Sequence, residues 1–321
     1  MKLVLFSQAG GAVAPGLLTG RGVVSIAGAV PADGAAAPMD TMRGIIDGWD
    51  RLKPALQDLE ANGEALDLAA VKLHPPLPRP GKMLCCIGNY WEHAERQPRP
   101  LNMFLKNPDA VIGPGDTVVL PEFTEPWVFH HEAELAIVIK GPAKNVAPQN
   151  WRDAVFGYTC MIDVSARGEA RSTWRRGSWM GKSFDTFGPL GPCIATADEL
   201  RNPNDLHVRL WCSGELRHDY NTNDMEHAVP ELIEHASMIM TLNSGDTIAC
   251  GTNHEGLGAL QDGDNAVIEI ESIGRMEVHV SDPLKRVWQR GVYMGENSTN
   301  LAAVAAAEAN TGAKEKSSMA E

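Results

Sequence analysis

The stretch HHEAELAIVIK (130–140) sets the framework for the rest of the chain. Its unbroken apolar run Leu135-Ala136-Ile137-Val138-Ile139 is too short for a helix of ordinary length and rich in β-branched residues, so it reads as a strand buried on both faces. Two acids stand at its head. In an extended chain Glu132 and Glu134 project to the same face with Cα atoms ~6.5–7 Å apart, so their carboxylates can converge on one cation. Acids at the head of a core strand are costly unless paired or bound to metal, although a merely solvated strand end is the simpler alternative.

Working outward, Asp163 closes a second apolar run, FGYTCMI, in a similar setting. Three carboxylates form an all-oxygen set that suits Mg2+ or Mn2+, whereas zinc favours nitrogen and sulfur. His130 and His131 invite a zinc reading. No H-E-x-x-H is present, however, and a regular strand turns His131 away from the glutamates. The segment RRGSWMGKS has the look of a phosphate loop, but Gly177 and Gly181 enclose three residues where such a loop needs four, and no apolar strand precedes it. Lys182 instead reads as a cation beside an acidic site, suited to an anionic substrate or a developing oxyanion.

The flanking sequence is β-rich from Met83 onward: KMLCCIG, DTVVLP, LHVRLWCSGE, DTIACGTN, NAVIEIESIG and RMEVHVSD alternate with turn residues, which predicts sandwiched or rolled sheets. One helix interrupts them, AVPELIEHASMIMTL, with Leu232, Ile233, Ala236, Ile239 and Met240 as its apolar stripe. Residues 1–75 carry short strands and a helix from Thr41 to Leu59, and form a small N-terminal α+β domain ending at the proline-rich HPPLPRPGK. The catalytic unit then spans 76–295. The Ala-, Ser- and charge-rich remainder, 296–321, reads as a disordered tail.

Composition narrows the function. With 28 Lys+Arg against 41 Asp+Glu the formal charge is -13, which disfavours nucleic acid and anionic lipid as partners. No stretch approaches the ~20 apolar residues of a membrane span, and the opening residues lack a convincing signal-peptide core, so a cytoplasmic protein is expected. The six cysteines show no metal-binding spacing and read as buried thiols.

Taken in order, GNYWEH (88–93), FLKNPDAVIGPGD, EAELAIVI, GYTCMIDVSAR, GKSFDTFGPLGP, LHVRLWCSGE, TLNSGDTIACGT and DGDNAVIEIESIG resemble the fumarylacetoacetate hydrolase family. The resemblance implies an α+β, mainly β fold with a mixed β-sandwich or β-roll core, and a homodimer. It also implies Mg2+ or Mn2+ on Glu132, Glu134 and Asp163. The reactions it implies are cleavage of carbon–carbon bonds in acylpyruvates and other diketo acids, decarboxylation of oxaloacetate, or isomerisation of unsaturated 2-hydroxy diacids, all through an enolate. A non-catalytic ligand-binding relative is the remaining alternative. Lys182 would support the oxyanion, and Tyr158, Arg167, Thr252 and Asn253 would line the pocket.

Three places depart from the family pattern. Hydrolytic relatives carry a lid His three residues ahead of a Glu, which together activate water; here His93 is followed by Glu95 at two, leaving His93 and Glu95 as the expected acid–base pair in a bent segment. Gly168 and Ala170 stand where an acid and a Gln are usual. Asn253, His254 and Glu255 replace a Gly-Thr-Pro turn, which makes His254 and Glu255 alternative acid–base candidates.

Overall fold

Strand periodicity puts Leu135, Ile137 and Ile139 on one face of the chain and Ala136 and Val138 on the other. In the computed structural model both faces are covered. The structure describes residues 1–30, 37–122, 128–167, 180–200, 202–288 and 290. The strand Ala133–Ile139 pairs antiparallel with Val155–Ile162 on one side and with Thr247–Ala249 on the other. Beyond Val155–Ile162 lie Gly188–Thr196 and then Lys2–Gln8, so the N-terminal strands extend the same sheet, to twelve strands among the described residues.

Leu135, Ile137 and Ile139 pack toward a second, five-stranded sheet that contains His207–Cys212, Asn265–Ile270 and Gly274–Ser281, with Val208, Leu210, Ile268 and Val278 in the shared core. Ala136 and Val138 face the other way. They join a separate core with Ile45, Ile46 and Leu56 from two N-terminal helices. The result is the expected mainly β sandwich with helices outside one sheet.

Two local expectations are corrected, and one strand is added that the sequence does not announce. The single helix expected over Thr41–Leu59 is two, Pro38–Asp47 and Trp49–Asn62, broken at Gly48, a residue that favours a helix end over its interior. In the helix Val229–Ile239 the buried face ends on Ser237, and Ile239 is exposed because the helix stops there. Ser237 explains its own burial: its Oγ accepts the Val146 N–H at 2.9 Å. The strand Gly188–Thr196 carries Pro189 and Pro192, residues that argue against a central strand. The ladder accommodates them by slipping between Tyr158 and Cys160, opposite the Pro192 stretch. All six cysteines are buried and free. Gly168, Ala170, most of the phosphate-loop-like segment and the 296–321 tail lie outside the described residues.

Candidate metal centre and its lid

Glu134 sits in the second position of Ala133–Ile139, and Glu132 just precedes that strand, where its carbonyl accepts the Asp163 N–H at 2.8 Å. This hydrogen bond ties the ends of the two neighbouring strands together. It brings one oxygen each of Glu132, Glu134 and Asp163 within 4.8 Å of one another, all three residues being buried.

Three cations crowd the acids. Lys182 Nζ donates to Glu132 Oε2 and Asp163 Oδ2, both at 2.8 Å, and to Ser165 Oγ at 2.6 Å. Lys106 Nζ donates to Asp163 Oδ1 at 2.7 Å, and Arg167 pairs with Glu132 Oε1. Burial opposes ionisation of Glu132, but Lys182 and Arg167 outweigh it and hold the carboxyl well below its usual range. Lys182 loses by burial and gains more from Asp163 and Glu132, so its ammonium is stabilised.

Glu134 differs from its two neighbours. Its Oε2 accepts the Gly251 N–H at 2.9 Å, while its buried Oε1 has no hydrogen-bond partner among the described residues. Burial, then repulsion from Asp163 and Glu132, pushes this carboxyl well above its ordinary value. A divalent cation would satisfy the orphaned oxygen and relieve the repulsion together, and hard oxygen donors suit Mg2+ or Mn2+. The residues present therefore fit such an ion.

The histidines take other positions. His131 Nδ1 lies 3.2 Å from His218 Nε2, and burial holds His130 and His131 well below the ordinary histidine value and pushes His218 down to about 4. Tyr158 stands opposite Ile137 in the ladder, hence on the face away from Glu134. It lines a surface cavity of about 340 Å3 with Trp151 and Leu200. The structure does not bring it to the acids. Asn253 is occupied in bracing: its Oδ1 accepts from Glu255 N at 2.9 Å and its Nδ2 donates to Asp224 at 3.2 Å. Thr252 is buried beside it, one residue beyond the Gly251 contact.

The expected pairing of His93 with Glu95 is not formed. The loop from Trp91 to Arg99 contains no helix, and Glu92 and His93 both adopt left-handed backbone, with φ of 53° and 59°. His93 is 87% exposed and lies 3.6 Å from Glu255. Glu95 is exposed as well. The buried acid of this loop is Glu92, whose Oε1 accepts from the His254 backbone N–H at 2.7 Å and stands 2.5 Å from His254 Nδ1.

Lys106 and Glu92 escaped sequence reasoning. Lys106 carried a usable signal, because it shares a strand face with buried Phe104 in MFLK and a lysine on an inward face needs an anion. Glu92 carried none, since left-handed backbone removes the periodicity from which a side-chain direction is read.

A mainly β framework with a buried acidic cluster that could hold a metal ion, flanked by lysines, defines the class of site, and comparison with known proteins narrows it. The model of the fumarylacetoacetate hydrolase C-terminal family matches residues 82–281, and the chain belongs to that family. It is similar to the maleylpyruvate hydrolase of Aquipseudomonas alcaligenes, 33% identical over 74% of this chain and 85% of that one. It is also similar to the mitochondrial oxaloacetate tautomerase of Xenopus laevis, 35% identical over 71% and 74% respectively. Among solved structures, maleylpyruvate hydrolase from Sphingobium sp. SYK-6 in complex with manganese(II) and pyruvate superposes with a TM-score of 0.78 at 36% identity. That match covers 88% of this chain and 99% of the other. No helix among the described residues is long and apolar enough to cross a membrane.

Proposed function

We propose that the chain is an Mg2+- or Mn2+-dependent hydrolase that cleaves a carbon–carbon bond in a small diketo acid or acylpyruvate, acting as a homodimer. The observation that carries this reading is the convergence of Glu132, Glu134 and Asp163 around an unsatisfied Glu134 oxygen, with Lys182 alongside. When bound, a divalent cation there supplies Lewis acidity to adjacent oxygens of an oxo acid.

The protein's own residues supply the rest. Lys182, held ionised by two acids, offers its ammonium to the oxyanion that develops as the bond breaks. Arg167 is the substrate-carboxylate partner in this reading, once released from Glu132, and buried Thr252 shapes the pocket wall. Burial of the whole cluster excludes bulk water and strengthens each of these contacts.

A second reading, decarboxylase or tautomerase, is favoured by one observation: His93 and Glu95 do not form a water-activating pair. Both readings share the enolate. A screen of 1,3-diketo acids and oxaloacetate, with and without EDTA, separates them by product: two fragments for hydrolysis, CO2 for decarboxylation, unchanged mass for tautomerisation. Metal-independent turnover, or full activity in Glu132→Ala, would sink the site assignment.

A further inference from the structure

The cavity beside Tyr158 stands apart from the carboxylate cluster. It lies at the start of the strand Val155–Ile162, whereas Asp163 follows the end of that strand. Tyr158 precedes Asp163 by five residues, about 16 Å at ~3.3 Å per extended residue. Two segments meet at the strand's start to enclose the space. The short helix Pro148–Ala154 supplies Trp151 and Arg152, and the chain after Gly188–Thr196 supplies Ala197, Asp198 and Leu200. Val155, Ala197, Leu200 and the Trp151 indole give apolar walls to about 340 Å3. That is room for a small molecule, since ligand pockets span about 300–1,000 Å3.

Two polar groups border this space without partners. Tyr158 is 1% exposed and lines the cavity, and its hydroxyl has no hydrogen-bond partner among the described residues. A buried phenol ordinarily finds one. Burial raises its pKa, against the opposing charge of nearby Arg152, so at neutral pH the hydroxyl is a donor. The Arg152 guanidinium lies over the Trp151 ring, 4.1 Å from its centroid, and has no carboxylate partner among the described residues. Stacking on a ring face leaves the N–H groups at the guanidinium edge free to take a carboxylate.

The acid at the wall is already occupied. Asp198 accepts from Lys53 Nζ at 2.7 Å and from Thr196 Oγ1 at 2.5 Å. Burial raises its carboxyl, but these two hydrogen bonds bring it down to about 2. Lys53 therefore neutralises Asp198, and the charge of Arg152 stays uncompensated. An apolar cavity with a stacked guanidinium and a phenol donor fits an anion that carries an apolar, planar body.

We propose that this cavity is a second binding site, for a small arenecarboxylate. The ring packs against Trp151, Val155 and Leu200, the carboxylate takes the free edge of Arg152, and the Tyr158 hydroxyl donates to one of its oxygens. The site goes beyond the hydrolase reading and does not depend on it.

The test titrates benzoate into the full chain, loaded with Mg2+ and labelled with 15N. It follows the indole N–H resonance of Trp151, assigned by its loss in Trp151→Phe. Benzoate should move that resonance saturably. Arg152→Ala should weaken binding at least about tenfold, the loss of a charge-assisted hydrogen bond, and Tyr158→Phe about two- to tenfold, the loss of a neutral one. Benzamide has the same shape without the charge and should bind at least about tenfold more weakly. Glu132→Ala, at the other end of the sheet's acidic strand, should leave benzoate affinity within about twofold, which separates this site from the metal centre. Arg152 is exposed and Tyr158→Phe keeps its ring, so the remaining indole resonances should stay in place as the check on folding. A Trp151 resonance that does not move, or that moves without saturating, overturns the proposal. So do equal benzoate affinities in the wild type and either variant, equal affinities for benzoate and benzamide, or loss of binding in Glu132→Ala.

Discussion

The carboxylate cluster and the junction between lid and turn share the segment Gly251–Glu255, yet they are held in different ways. Glu134 is borne by a strand whose seven residues are all buried, and Asp163 follows a strand of eight that are all buried. Backbone ladders on both sides fix their positions before any side chain contributes. The lid loop has no ladder beyond the isolated bridge of Tyr90 to Met225. It is held by side chains: Glu226 to Arg96 and Arg99, Asp224 to Glu92 and Asn253, Glu92 to His254. A ladder yields only with the fold, whereas hydrogen bonds and ion pairs of this kind are worth about 1–3 kcal/mol each. The chemistry of the centre should therefore be sensitive to charge and the lid to pH.

The largest effect separates the two regions outright. Glu132→Ala removes one carboxylate of the proposed metal site, and since loss of a mere supporting partner costs 10–100-fold in metal affinity, loss of a proposed ligand should cost more than about 100-fold. Mn2+ titration measures this. The lid's amide hydrogen exchange should be unaltered in the same variant. Unchanged Mn2+ binding would show that the acids are only a salt-bridge network.

Lys182→Ala should act on the same cluster in the opposite sense for binding. The lysine competes with a cation for Glu132 and Asp163, so its removal should leave Mn2+ affinity equal or higher. Turnover should nevertheless drop about 100- to 1000-fold, the cost of one oxyanion donor. Parallel loss of metal and turnover would instead make Lys182 a scaffold residue.

The lid should respond to acid at a lower threshold than the centre. Burial raises the Glu226 carboxyl, but hydrogen bonds from Arg96 and Arg99 lower it from 4.5 to about 2. A depressed folded-state pKa means that its contribution is complete above about 4.5 and is lost as pH falls toward about 2. Hydrogen exchange of residues 91–99 should accelerate in that window, and Glu226→Gln should show the acceleration already at pH 7. Exchange that follows the core strands at every pH would mean that the lid is not an independent unit.

The same contrast explains what could be read from the sequence. Glu132, Glu134 and Asp163 were legible because strand periodicity assigns a face to each side chain, and Lys182 because a cation belongs near three acids. Lys106 was legible in principle by the same rule. The partnership of Glu92 with His254 was not, because it joins residues 162 apart in the chain through two irregular loops, one of them in left-handed backbone. His254 itself drew notice as a departure from the family pattern, but nothing local named its partner. The proline-bearing strand Gly188–Thr196 hid for a related reason, since its ladder is completed by a slip that only the neighbouring strand reveals.

The smallest effect tests the strand rule on a single residue. Tyr158 was expected in the pocket from its place in GYT, yet register sets it opposite Ile137 and therefore on the face away from Glu134. Its ring lies in the core between the sheets and lines the surface cavity with Trp151. Tyr158→Phe keeps that packing and removes only the hydroxyl, so kcat and KM should stay within about twofold and stability should shift by about 1 kcal/mol or less. A tenfold loss of turnover with an unchanged melting temperature would mean that the opposite face of the sheet reaches the chemistry. In that event the carboxylate cluster and the lid would not be the only regions that govern it.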